Sequence, residues 1–499
     1  MRLSIKPIKI STGGPLIALM NDKDAEILDL HNGDRIEIFH KKKSLVIKID
    51  ITTSSILETG KLGLFEEAHK KLGGKTGDPV RIQLAEKPKS IAFIREKMNG
   101  HKLSYKKIRT IVQEITENKI DDVELTYFVA ACHTRLLDNE ETVNLTKAMI
   151  ETGDRLHFPK NRPVIDKHCI GGVAGNRTTM ILVPIVSAAD LLIPKTSSRS
   201  ITSPAGTADT MECIANVSFS IEHIRKVLKR VGACIVWGGA INLAPADDRI
   251  IRVEHPLSID SRSQLIASIL AKKASVSSTH VLVDIPVGKG AKIEDMKDAR
   301  SLAAQFRRIG RSIGMRVEVI ITDGSRPIGM GFGPALEARD VLKVLRNDPD
   351  APADLREKSL MMAGKIFEMT KITARGSGKK LARKILDSGR AMEKFTQMVE
   401  AQGIKTLDPE KIPIGKFKHV VRAPKRGMVA HIDNLSVSKI ARIAGAPKDA
   451  GAGLQLHVKK SETVKKGQPL FSIHSNNRQR LKFAIDLETE FHAVCISRG

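Results

Sequence analysis

The sequence predicts a multidomain α/β protein, in which a helical domain and an α/β domain are flanked by small β-rich domains at both ends of the chain. Three observations predict it. The hydrophobic period changes along the chain from alternating to helical. Short apolar strands then alternate with helices. Glycine loops follow two of those strands.

Residues 1–88 read as a β-rich domain, because alternating runs such as Arg35–Phe39 and Ser44–Ile51 are broken by Asn32-Gly33-Asp34 and Gly73-Gly74. Over 90–157 the spacing turns helical: Ile108, Ile111, Val112 and Ile115 recur at three and four, as do Leu145, Met149 and Ile150. From 160 to 412 strands are expected at Val164–Asp166, Ile193–Thr196, Cys234–Trp237, Val281–Ile285 and Val317–Ile321. Helices are expected near 178–189, from about 207, and near 293–313 and 335–346. This alternation predicts a largely parallel sheet that binds its ligand beyond the strand C-termini. Residues 415–499 return to short strands and glycine turns, and Val458–Phe471 resembles a carrier-domain hairpin without the modifiable lysine.

The 499 residues are 41% hydrophobic and 28% charged, a globular balance. The longest apolar run, Met180–Val186, is far too short to span a membrane, and no signal peptide is visible, so a cytoplasmic protein is expected. Five dispersed cysteines form no CxxC pair, which argues against a disulfide framework or a zinc cluster. The net charge of +26 is spread along the chain, and aromatic content is only 3%, so nucleic-acid stacking is disfavoured over attraction of a small anion.

Two loops carry the chemistry. Asp166–Thr179 (DKHCIGGVAGNRTT) follows a strand and opens a helix, so glycine backbone N–H groups, a helix N-terminus, Lys167 and two threonines converge as an anion site. The alternative is a tight structural turn. Lys195–Asp209 (KTSSRSITSPAGTAD) is rich in hydroxyls, carries Arg199 and again precedes a helix; its alternative is a solvated serine-rich loop. Gln264, Ser268 and Lys272 share one helix face, with Asp260 near the helix start, where a simple N-cap is the competing role. Val287–Lys292 is a further glycine turn in which Lys292 faces either a ligand or solvent.

These motifs resemble the thymidine/pyrimidine-nucleoside phosphorylase family over about residues 90–499, through Asp-Lys-His-x-x-Gly-Gly-Val at 166–173, Ser-x-Arg, Gly-Thr-x-Asp and Glu within 197–212, Ser-Ile-Leu-Ala-Lys-Lys at 268–273 and Val-Gly-x-Gly-Ala at 287–291. The extra N-terminal domain, Lys195–Arg199 and Asn242–Asp248 are similar to the family's longer branch, which includes AMP phosphorylases. The resemblance implies a cleft between the helical domain (with a returning helix near 260–273) and the α/β domain. It implies phosphorolysis of a nucleoside or nucleoside 5′-monophosphate in the manner of a thymidine phosphorylase, to free base and a (deoxy)ribose 1-phosphate, or AMP phosphorolysis to ribose 1,5-bisphosphate as the alternative. It implies Asp260 and Lys167 as catalytic residues, and phosphate held by Lys167, Thr179, Ser197 and Thr207. Substrate would be held by Gly172, Ser198, Arg199, Ser200, Ile201, Thr202, Ser203, Thr207, Ser268, Lys272 and Lys292. No metal or organic cofactor is implied, inorganic phosphate is the co-substrate, and a homodimer is expected. Two residues depart from the family pattern: Cys169 replaces a serine, and Ser203 stands where the nucleoside enzymes carry histidine. A magnesium-dependent phosphoribosyltransferase and a non-catalytic nucleic-acid-binding protein are the remaining alternatives.

Overall fold

A computed structural model describes residues 1–53, 56–158, 162–200, 203–241, 243–254, 256, 259 and 261–497. The chain forms two compact units, Met1–Thr152 with Pro245–Leu265, and Gly153–Ala244 with Ile266–Gly499.

The first unit begins with six strands, β1 (Arg2–Pro7), β2 (Ile17–Asn21), β3 (Arg35–His40), β4 (Lys43–Thr52), β5 (Lys61–Leu64) and β6 (Pro79–Leu84), with short helices α1 (Asp22–Glu26) and α2 (Glu66–Leu72) between them. The strands close into a barrel in the order β1-β5-β2-β4-β3-β6. Their alternating apolar residues, among them Ile5, Ile36, Ile38, Ile49 and Leu62, fill the interior, as the period of two demands. Helices α3 (Ser90–Met98), α4 (Tyr105–Thr116), α5 (Asp122–Thr134) and α6 (Asn139–Glu151) follow. Asp121 and Asp138 open α5 and α6 with capping boxes to Glu124 and Glu141.

The second unit is built on parallel strands β7 (Ile165–Cys169), β8 (Ile193–Ser197), β9 (Ala233–Trp237), β10 (His280–Val287) and β11 (Arg316–Asp323). β11, β10 and β7 form one ladder and β8 with β9 another, and a parallel bridge between Val164 and Leu192 joins them. The helices between and after these strands, in chain order, are α7 (Thr178–Ser187), α8 (Thr207–Glu212), α9 (Ile221–Val231), α10 (Pro245–Glu254, in the first unit), α11 (Arg262–Ser275) and α12 (Met296–Ser312). Every residue of α7 is buried, which its apolar sequence on all faces requires. α10 belongs to the first unit and packs on α4 and α5. The return of the chain therefore includes a helix before the one expected near 260–273, and α11 starts in the first unit and ends in the second.

A short strand β12 (Gly331–Phe332) precedes α13 (Pro334–Leu345), α14 (Ala353–Met369), α15 (Gly378–Asp387) and α16 (Arg390–Ala401). The last segment contains β13 (Phe417–Arg422), β14 (Gly427–Ile432), α17 (Asn434–Ala444), β15 (Gly453–Leu456), β16 (Thr463–Val464), β17 (Pro469–Ser475), α18 (Arg478–Phe491) and β18 (Val494–Ser497). It is thus a mixed α/β segment rather than a purely β-rich one. The helical stripe of α17 is obscured in the sequence because small and polar residues, Ala441, Ala444, Asn434 and Ser436, share its buried face with Val437 and Ile440. No helix among the described residues is long and apolar enough to cross a membrane.

Candidate phosphate and substrate site

β7 places Asp166, Lys167 and His168 at the C-terminal end of a central strand, between β10 and the bridge to β8. The chain then turns through Gly171, Gly172 and Gly175, all at positive φ (+98°, +91° and +71°). Glycine is required at two of them for space as well. A Cβ on Gly172 would lie 2.4 Å from the Lys292 nitrogen, and one on Gly175 2.0 Å from the Ile328 carbonyl oxygen.

Lys167 is 1% exposed. Its ammonium donates to Thr178 Oγ1 at 2.9 Å and to Thr179 Oγ1 at 3.4 Å. Among the described residues no carboxylate lies within salt-bridge distance of it. Burial, and secondarily the charges of Lys358 and Arg177, hold its pKa below the usual lysine value, against the opposing pull of Cys169 and Asp284. A buried ammonium with hydroxyl partners only, at the start of an apolar helix, is a site that gains from an anion.

The second loop lies beside the first. Arg177 donates through Nη1 to Thr207 Oγ1 at 3.1 Å and through Nη2 to the Ala205 carbonyl at 2.7 Å, while its Nε meets Glu337. Glu337 also accepts from the Gly333 N–H at 3.2 Å and Thr210 Oγ1 at 3.4 Å. Arg177 therefore fastens the loop after β7 to the loop after β8. Ser197, at the end of β8, is 8% exposed and its hydroxyl has no hydrogen-bond partner among the described residues. Asp209 folds the rest of the loop by accepting from the backbone N–H groups of Ser200 at 2.8 Å and Gly206 at 2.9 Å.

Arg199 is committed within the protein: it donates to Asp209 at 3.1 Å and to both oxygens of Glu212 at 2.6 and 3.0 Å, and its guanidinium lies 4.8 Å from the Trp237 ring centroid. These contacts brace the loop that the resemblance assigns, with Arg199, to holding substrate. Ser203 donates to the Ala205 carbonyl at 2.9 Å, and Ser200 to the Ser203 carbonyl. The Ser198 carbonyl accepts from the Ala208 N–H at 3.3 Å. Ile201, Thr202 and Asp260 lie outside the described residues.

Beneath the loops, Asp166 pairs with Lys273 at 2.9 Å and Lys195 at 3.6 Å. Burial and the Lys273 charge pull Lys195 down to about 7. His168 is held well below its ordinary value by burial and by Lys273, Lys195, Lys167 and Lys272, so its ring is neutral. Asp284 on β10 meets Lys358 at 3.0 Å and accepts from Thr322 at 2.6 Å. Burial raises its pKa, but Lys358 and Lys167 outweigh that and keep it ionised. Among the described residues, Lys167, Lys195, Lys273, Lys358 and Arg177 thus face only Asp166, Asp284 and Glu337, leaving a positive surplus.

Lys167, Thr179, Ser197, Thr207, Gly172 and the backbone of Lys292 are gathered around the ends of β7 and β8. Lys272 acts electrostatically on His168, and Ser268 stands one turn before it on α11. Sequence reasoning misses the supporting roles of Arg177, Asp284, Thr322, Glu337 and Lys358. For Asp284 a signal exists: a lone carboxylate inside the apolar strand Val281–Ile285. Glu337 and Lys358 are ordinary helical residues in sequence and carry none.

The comparisons agree with this architecture. A model described as a glycosyl transferase family helical bundle domain matches residues 91–153, and one for the a/b domain of that family matches 161–392. A pyrimidine nucleoside phosphorylase C-terminal domain matches 428–490. The chain is 46% identical to AMP phosphorylase 1 of Archaeoglobus fulgidus over 97% of this chain and 95% of that one. It is 44% identical to AMP phosphorylase of Pyrococcus furiosus, over 99% and 98%. It is also 44% identical to a protein of Legionella pneumophila (strain Corby) named "Putative thymidine phosphorylase", over 91% and 87%. The anthranilate phosphoribosyltransferase structure from Thermus thermophilus superimposes with a TM-score of 0.52 at 17% identity, covering 62% of this chain and 98% of that one, a likeness of fold alone.

Proposed function

This chain belongs to the glycosyl transferase family of helical bundle and a/b domains, with a pyrimidine nucleoside phosphorylase C-terminal domain, and from that premise we propose that it is a pentosyltransferase that splits a nucleoside 5′-monophosphate with inorganic phosphate. The products are the free base and ribose 1,5-bisphosphate. The observation that supports phosphate as co-substrate is the buried Lys167 ammonium, supplied with hydroxyls but no carboxylate among the described residues, beside a second loop fastened to the first by Arg177. The 5′-monophosphate is favoured over a simple nucleoside because the relatives named AMP phosphorylase match nearly the whole chain. The nucleoside reading of the thymidine phosphorylase type takes second place.

In this reaction a phosphate oxygen attacks C1′ while the bond from C1′ to the base nitrogen breaks. The bonding pair leaves with the base, which takes up a proton. Positive charge develops on the sugar, and the phosphate anion beside it stabilises that charge. Lys167, Thr179, Ser197 and Thr207 would hold the attacking phosphate. Gly172, the 198–203 loop, Thr207, Ser268, Lys272 and Lys292 would hold the nucleotide. Asp260 would protonate the leaving base, a role worth about 10²–10⁴ in rate. No organic cofactor or metal enters the scheme. We further place the protein in the cytoplasm, as a homodimer.

Free-base release from AMP, CMP, UMP, thymidine and uridine, with and without phosphate, tests the assignment. Release from a monophosphate only when phosphate is present, insensitive to chelator, supports it. Base release driven by pyrophosphate in place of phosphate, and lost on chelation, would instead favour a phosphoribosyltransferase.

A further inference from the structure

We propose that Asn434, the first residue of α17, is a positioning residue that fixes the two glycine loops of the substrate site to each other. Its side chain is 2% exposed. Its Oδ1 accepts from the Ala174 N–H at 2.8 Å. Its Nδ2 donates to the Gly172 carbonyl and, at 3.3 Å, to the Gly290 carbonyl. One amide thus ties together the loop after β7 and the loop after β10, which are 262 and 144 residues away in sequence.

The post that carries this amide is rigid. Asp433 caps α17 by accepting from the Ser436 N–H at 2.7 Å. Val437, Ile440, Ala441 and Ala444 bury the helix in a core that also holds Phe332, Leu454, Phe471 and Ala174 itself. The loops in turn are shaped to receive it. Gly172 and Gly290 both have positive φ (+91° and +80°), and a Cβ on Gly290 would press on Leu435 at 3.3 Å. Backbone groups of Gly172, Ala174 and Gly290 therefore meet at one side chain, which supplies one acceptor and two donations. Asparagine has that combination at that length; aspartate cannot donate, and alanine reaches nothing.

Gly172 and Lys292 lie in the proposed nucleotide site, so this inference rests on the function proposed above. It gives the C-terminal segment a part in the reaction: it holds the nucleotide loops at a set separation without touching substrate.

The test uses the full chain with N434D, which is isosteric, and N434A. N476A, at an exposed asparagine bonded to Asp449 in the same segment, is the control. Two readouts are taken: amide hydrogen exchange over 170–176 and 288–292, and KM and kcat for AMP with inorganic phosphate. The expected result is faster exchange in both loops together, KM for AMP raised about tenfold or more with a smaller fall in kcat, and a wild-type-like N476A. Unchanged exchange in either loop of N434D, or KM and kcat within about twofold of wild type in both variants, would overturn it. Should N434A not fold, N434D decides. Should the wild-type chain phosphorolyse no nucleotide, the function proposed above fails, while the exchange comparison still decides whether Asn434 fastens the loops.

Discussion

Lys167 shows how one residue's surroundings define its task. Its ammonium is buried, its partners are neutral hydroxyls, and the charges around it are mostly positive. Replacing it with glutamine should lower kcat/KM about 10²–10³-fold through the loss of one charged donor, read as a raised KM for phosphate in steady-state kinetics. Lys195, pulled down to about 7 from 10.5, makes a separate prediction. Between those values the unfolded chain binds a proton that the native chain does not. Stability from this group therefore rises with pH from about 7 toward 10.5 and is flat below 7. Urea midpoints should increase between about pH 7 and pH 9, and Lys195→Met should flatten that rise. Burial and Asp284 push the Cys169 thiol up to about 11, so it stays protonated. Iodoacetamide near pH 8 should label exposed Cys495 well before Cys169, as peptide mapping would show. The sequence displayed Lys167 plainly because a lysine stood beside a glycine turn. It could not display that Arg199 turns to Asp209 and Glu212, since that choice depends on α8 folding back beneath the loop.

At the scale of elements, the strands and glycine turns of the second unit were legible because apolar runs ending in glycine have few other structures open to them. β8, β9, β10 and β11 lie where the runs put them; β7 runs on past Asp166 to Cys169, into the stretch read as loop, and all five pair in parallel. α10 and α17 were not legible: α10 opens on Pro245 with two aspartates, and α17 buries small residues. What fastens the loops after β7 and β8 was hidden as well, because Arg177, which spans them, is anchored by Glu337 160 residues further on. Removing one partner of this buried pair by Arg177→Met should cost about 3–5 kcal/mol in chemical denaturation. It should also weaken phosphate binding, as the Thr207 hydroxyl loses its donor. The conservative Arg177→Lys should recover part of the stability but not the two-loop geometry, because a lysine lacks the planar fork that reaches Thr207, Ala205 and Glu337 at once.

For the whole molecule, the composition pointed to anionic substrates, and the relatives named AMP phosphorylase agree with that direction. A chain with 82 basic and 56 acidic side chains should attract a nucleotide more strongly at low salt. Its kcat/KM should therefore fall severalfold as ionic strength rises through the range where the Debye length shrinks below about 10 Å. The base preference was not legible in the sequence, where Ser203 stands in place of the histidine of the nucleoside enzymes. The 5′-phosphate question turns on a single comparison: kcat/KM for AMP against adenosine, each with saturating inorganic phosphate and with none. Adenine release from AMP is expected only with phosphate present, with one phosphate consumed per base and adenosine at least about 100-fold poorer. Equal turnover of adenosine and AMP, or adenine release from AMP without phosphate, would contradict it.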